Sequence, residues 1–96
     1  MKKKIKNYSF VYLFYDIEEK RVNKVFKICK KYLNHIQNSV FKGDITPSKL
    51  IQLEEELKRI IKDNDKITIL KFINKNNFDE TCLNQKNDVI NNENFI

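Results

Sequence analysis

Val11 to Asp16 reads VYLFYD, five residues with a taste for strands closed by a carboxylate. β-branched and aromatic side chains suit a pleated, half-buried surface, so the stretch predicts a strand from about Tyr8 to Tyr15. Apolar residues occupy both sets of alternating positions, which implies a strand covered on both faces. Asp16 then stands at its C-terminal end, at the edge of a sheet. A strand that must be covered twice calls for a layered fold, and the carboxylate marks where its chemistry would sit.

Downstream, Val22, Val25, Phe26, Cys29, Tyr32 and Leu33 recur at the spacing of an amphipathic helix, which predicts a helix over 18–33. Glu18 and Glu19 fall in its first turn and Lys30 and Lys31 in its last, both favourable to the helix dipole. His35 to Ile45 is extended, and Asn38-Ser39 is a candidate turn that would divide it into two strands. Thr46-Pro47 is an N-cap followed by a first-turn proline, and Leu50, Leu53, Leu57, Ile60 and Ile61 give the second helix its stripe. That helix runs into the polar stretch Lys62 to Lys66. Ile67 to Ile73 predicts another strand, again apolar on both faces, and Phe78 to Leu83 a short last one.

This order of elements is a ferredoxin-like βαββαβ α+β sandwich spanning residues 1–83. Residues 84–96 form an Asn-rich tail too polar to fold alone, yet ending on the apolar pair Phe95-Ile96. Such a tail is a candidate strand for exchange with a partner subunit. Two helices cover only one face of the sheet, so strands apolar on both faces predict a homodimer with its sheets packed face to face.

The 96 residues carry a net charge of +6, which favours a polyanionic partner such as nucleic acid. The excess is almost all lysine, because Arg21 and Arg59 are the only arginines. Cys29 and Cys82 lack zinc-site spacing and read as reduced thiols of a cytoplasmic protein. Lys2 to Lys4 precede an apolar run, but that run is too short for a signal sequence or a membrane span and ends on Asp16. No membrane association is expected.

Catalytic patterns are sparse. His35 is the only histidine and lacks an adjoining acid and nucleophile, so Ser/His/Asp chemistry is not supported. Gly43 is the only glycine, which excludes a phosphate-cradling glycine loop. Asp16 remains, either as a cap for the helix that follows or as a metal ligand. One carboxylate is a poor metal site. Two Asp16 side chains meeting at a dimer axis would repel, and a divalent cation such as Mg2+ would relieve that repulsion. A metal held there could activate water against a phosphodiester.

Beyond Asp16, the motifs resemble a known family. YDI at 15–17, the basic helix with Arg21 and Lys24, IQNSVFKG at 36–43, TPSKL at 46–50 and the NFI terminus follow one another as in the Cas-two family of CRISPR-associated proteins. The resemblance implies a ferredoxin-like homodimer in which Asp16 of each subunit is the metal-binding and catalytic aspartate, with Mg2+ as cofactor. It implies that Arg21 and Lys24 meet phosphate, with His35 beside them as a nucleic-acid contact. Tyr15, Ser39, Phe41, Phe95 and Ile96 would be structural, with Phe41 at the dimer interface. It implies a scaffold that bridges two Cas-one integrase dimers across a DNA duplex. The alternative is a free-standing magnesium-dependent endonuclease acting on single-stranded RNA or double-stranded DNA. His35 stands where many members carry Arg or Lys, so any charge there depends on pH near neutrality.

Overall fold

A computed structural model describes residues 7–74, 76 and 79–83. The chain forms β1 (Phe10–Asp16), α1 (Glu19–Tyr32), β2 (Asn34–Gln37), β3 (Val40–Asp44), α2 (Pro47–Lys58) and β4 (Lys66–Phe72). One antiparallel sheet results, with strand order β2-β3-β1-β4. This is the ferredoxin-like sandwich expected from the order of elements.

Residues 35–45, where one or two strands were possible, form two. Asn38 adopts φ 41° between them, a left-handed conformation that asparagine tolerates better than most residues. The second helix starts where its cap signal lies, with the Lys49 N–H donating to Thr46 Oγ1 at 3.3 Å and Pro47 in the first position.

Alternation along β1 sorts the two faces of the sheet. Val11, Leu13 and Tyr15 point toward the helices and are buried with Phe41 of β3, Val25, Ile28 and Cys29 of α1, and Leu50, Leu53 and Leu57 of α2. Phe10, Tyr12, Phe14 and Asp16 occupy the other face. No helix among the described residues covers that side, and Phe14 and Leu70 are 37% and 46% exposed there. Within one chain the expected cover on both faces is therefore met on the helical side of β1 and only in part on the other, where Phe10 is buried and Phe14 exposed.

Part of the open face is overlaid by the segment 79–83. Glu80 takes an ion pair at 3.0 Å from Lys42, whose side chain is buried, and also hydrogen-bonds Tyr12. Burial and that hydrogen bond push the Tyr12 phenol well above its usual range. The strand predicted over 78–83 is not formed among the described residues, where Cys82 makes an isolated bridge. Phe95, Ile96 and the tail that carries them lie outside the described residues. No helix among those residues is long and apolar enough to cross a membrane.

Candidate nucleic-acid and metal site

Asp16 closes β1 on the open face, opposite Lys66 in the ladder with β4. Its side chain is exposed, and no hydrogen bond or ion pair among the described residues engages it. It does not cap α1. Glu18 holds the cap position without a side-chain cap, and its N–H donates instead to Asp65 Oδ1 at 2.9 Å.

The floor beneath Asp16 is aromatic. Tyr15, one residue back, faces the core, and its ring lies 6.1 Å from that of Phe41. Phe41 also meets Phe26 at 5.4 Å and His35 at 5.0 Å, in tilted or edge-on arrangements of the kind aromatic pairs prefer. The expected interface role for Phe41 needs correction, because its side chain is wholly enclosed between the sheet and α1 of its own chain. Alternation puts it on the helical face, opposite Leu13, and not on the open one. Ser39 contributes through its backbone: its carbonyl accepts the Tyr15 N–H at 3.1 Å, which ties the β2–β3 turn to the end of β1.

Arg21, expected at a phosphate, spends its guanidinium on Asp65. Nε donates to Oδ2 at 2.6 Å and a terminal nitrogen to Oδ1 at 3.1 Å. The Lys62 N–H also donates to Oδ2, at 2.9 Å, so both carboxylate oxygens accept twice. The side chain of Asp65 is fully enclosed. The Arg21 guanidinium, aided by the two backbone N–H groups and opposed by burial, holds this carboxyl well below the usual carboxylate range. Sequence reading missed Asp65. Its one signal was position: an acid at the end of a polar run, immediately before a strand.

Lys24 is exposed on α1, as are Lys20, Lys27, Lys30 and Lys31. His35 is exposed on β2, its Nε2 2.8 Å from the Asn38 carbonyl and its ring edge-on to Phe26 at 4.9 Å. Cys29 is enclosed in the core, where burial pushes its thiol up to about 12. A thiol so protonated is no nucleophile, consistent with its expected packing role.

The donor set can be tested against magnesium. Among the described residues no group of three His, Cys, Asp or Glu side chains could hold a metal ion. Asp16 is a hard, exposed oxygen donor that no hydrogen bond or ion pair among the described residues engages. Magnesium usually takes one or two carboxylates and fills its remaining positions with water and phosphate oxygens. Asp16 fits that pattern as half of a paired site, and does not fit a cage built within one chain.

Comparison with known proteins places the chain in a family. The model of the family described as CRISPR associated protein Cas2 matches residues 9–81. The chain belongs to the Cas2 family. It is 40% identical over 84 residues to the CRISPR-associated endoribonuclease Cas2 3 of Thermodesulfovibrio yellowstonii, covering 86% of this chain and 96% of that protein. It is 41% identical over 64 residues to the CRISPR-associated endoribonuclease Cas2 of Pyrococcus furiosus, covering 66% and 75% of the two chains. Among solved structures, a Cas2 crystal structure superposes with a TM-score of 0.75 at 41% identity, covering 81% of this chain and 88% of that one. Streptococcus pyogenes Cas2 at pH 6.5 superposes with a TM-score of 0.58 at 28% identity, covering 71% and 88%. The matched region contains every element from β1 to β4 and Asp16, Arg21, Ser39, Phe41 and Asp65 with them.

Proposed function

We propose that this Cas2-family chain is a homodimeric, nucleic-acid-binding scaffold in CRISPR spacer integration, with magnesium held between the Asp16 carboxylates of two subunits. One observation carries the reading: Asp16 shares a sheet face with Phe14 and Leu70, and no helix among the described residues covers that face. Packing two such faces together removes apolar surface from water, each 100 Å² contributing about 2.5 kcal/mol. The same packing carries two carboxylates toward a common axis. Their repulsion is the condition a divalent cation relieves. Asp16 of each subunit would hold the ion, which when bound lowers the pKa of coordinated water and polarises phosphate oxygens.

The chain's own residues do the remaining work. Ser39, through its carbonyl, and the buried Tyr15–Phe41 pair fix the end of β1, so that Asp16 is presented from a rigid edge. Lys24 and His35 are exposed and open to a nucleic acid. The integrase dimers of Cas-one are the protein partner in this reading, and the cytoplasm its compartment.

The relatives' name, endoribonuclease, favours a second reading: a free-standing magnesium-dependent endonuclease acting on single-stranded RNA or double-stranded DNA. Asp16→Asn separates the two. It keeps the shape of the side chain and removes the carboxylate repulsion, so the dimer persists in either case. Magnesium-dependent cleavage falls at least ~100-fold, the scale of removing one catalytic electrostatic interaction. In the scaffold reading integration continues. A dimeric Asp16→Asn protein that binds the integrase yet fails to integrate spacers would refute the scaffold and make metal chemistry the function.

A further inference from the structure

Lys42 is an anomaly on the open face of the sheet. Alternation sets it there, because its ladder partner on β1 is Tyr12. Around Tyr12 that face is aromatic: the Tyr12 ring lies 5.8 Å from that of Phe10, 6.2 Å from Phe14 and 6.5 Å from Phe72. Lysines usually lay their stem along apolar surface and keep the ammonium in water. Here the whole residue is 2% exposed, and Nζ lies 5.6 Å from the centre of the Tyr12 ring. A counter-charge comes from outside the sheet, where Glu80 Oε1 accepts from Nζ at 3.0 Å. Beside the pair the face is unfinished. An open cleft of about 350 Å³ is lined by Phe14 and Leu70 of the sheet and by residues 79–81.

Resting on the homodimer described above, we propose that the Lys42–Glu80 pair decides whether the open face accepts its partner, and that this partner is the same face of a second copy of the chain. The reason is charge. An ammonium enclosed in an apolar face is strongly unfavourable unless an opposite charge accompanies it. A twofold dimer doubles the cost, because every contact occurs twice and two lysines enter one interface. Glu80 removes that cost within each chain, before the faces meet. The pair carries no net charge, so the cleft presents apolar surface from Phe14 and Leu70 to whatever enters it. A polyanion gains little there, since the cation is enclosed and paired. A second copy supplies apolar side chains of its own and has its lysine neutralised in the same way. Glu80 also hydrogen-bonds Tyr12, so the segment that neutralises the lysine is tied down over the sheet and forms one wall of the cleft.

The test is a double-mutant cycle on the full chain, with the dimer dissociation constant read by sedimentation equilibrium and folding by circular dichroism. Glu80→Gln keeps the shape of the side chain and removes the charge facing Lys42; it should weaken the dimer by about tenfold or more, the direction expected when one partner of a buried pair is lost. Lys42→Met alone should weaken it less, because the half-buried Glu80 side chain can still reach water. Lys42→Met/Glu80→Gln removes both charges and should return dissociation to within about threefold of the parent or tighten it, since apolar residues often replace a buried ion pair without loss. Tyr12→Phe keeps the charge pair and should dimerise as the parent does. Leu70→Lys adds a cation that no Glu80 faces and should abolish the dimer. Parental dimerisation by Glu80→Gln overturns the proposal, and so does weakening by Tyr12→Phe equal to that by Glu80→Gln. A double variant about tenfold weaker than the parent also overturns it, whether or not Glu80→Gln alone folds. A Leu70→Lys protein that dimerises as the parent does places the interface elsewhere and overturns it too. A parent chain that stays monomeric at millimolar concentration refutes the homodimer itself, whereas a parent dimer indifferent to Glu80→Gln refutes only the role of the pair.

Discussion

Phe41 offers the sharpest check on how this fold is held together. Its ring is wholly enclosed and touches the rings of Tyr15, Phe26 and His35, so its removal empties the middle of the core. Phe→Ala at such a site costs about 3–5 kcal/mol, a large part of the about 5–15 kcal/mol that holds a small domain folded. Phe41→Ala should therefore be at the edge of folding. Phe41→Leu is the more informative variant. It removes roughly three buried carbons, which at about 0.8 kcal/mol each comes to about 2 kcal/mol. In a domain of this size that lowers Tm by about 8–16 °C. The assay is thermal unfolding by circular dichroism over a hundredfold range of protein concentration, with the dimer dissociation constant measured separately. A residue enclosed in its own chain shifts Tm equally at every concentration and leaves dimer dissociation unchanged. A residue at a subunit interface does the reverse. The reasoning fails if Phe41→Leu melts within about 2 °C of the parent while its dimers dissociate more readily.

Three further outcomes follow from the site. The Asp65 carboxyl is depressed in the folded state, so its stabilisation is complete above its ordinary value of 3.8 and is lost as pH falls below it; Asp65→Asn should lower Tm at pH 7 and flatten the loss of stability with acid, as urea titrations from pH 7 to 2 would show. A thiol reagent at pH 8 should modify the half-buried Cys82 of the native protein and spare Cys29, whose thiol is enclosed and pushed up to about 12; mass spectrometry of the digested protein checks the order. Asn38 sits at positive φ, so Asn38→Val should cost about 1–3 kcal/mol while Asn38→Gly costs little, as denaturant midpoints would report.

What could be read from the sequence was what depends on near neighbours. The Thr46-Pro47 start of α2 depends on atoms three residues apart, and it stands where the sequence placed it. The apolar stripes of both helices and of β1 are periodicities of 3.6 and 2, visible without a partner. The last strand was harder. Phe78 to Leu83 has the composition of a strand, but in this chain its described part is tied across the open face by Glu80 on Lys42 and Tyr12. That pairing spans 38 residues, and composition carries no trace of it.

The site divides along the same line. Asp16 was legible because a carboxylate ending an apolar strand is anomalous by itself. Phe41 was legible as a residue that mattered, but its face was set by register: it pairs with Leu13, and a shift of one residue would have turned it to the open side. Arg21 shows the limit most clearly. On the sequence it is one more cation in a basic helix, indistinguishable from Lys20 or Lys24 beside it. Its partner Asp65 lies 44 residues away. Only the fold brings them together, and the pairing withdraws the arginine from solvent while the lysines keep their reach. Arg suits this enclosed role for a physical reason, because its planar fork can donate to both oxygens of one carboxylate where a lysine's single ammonium cannot match that geometry. A helix can thus carry both kinds of cation, with its arginine bracing the turn that leads out of β1 and its lysines left exposed to solvent.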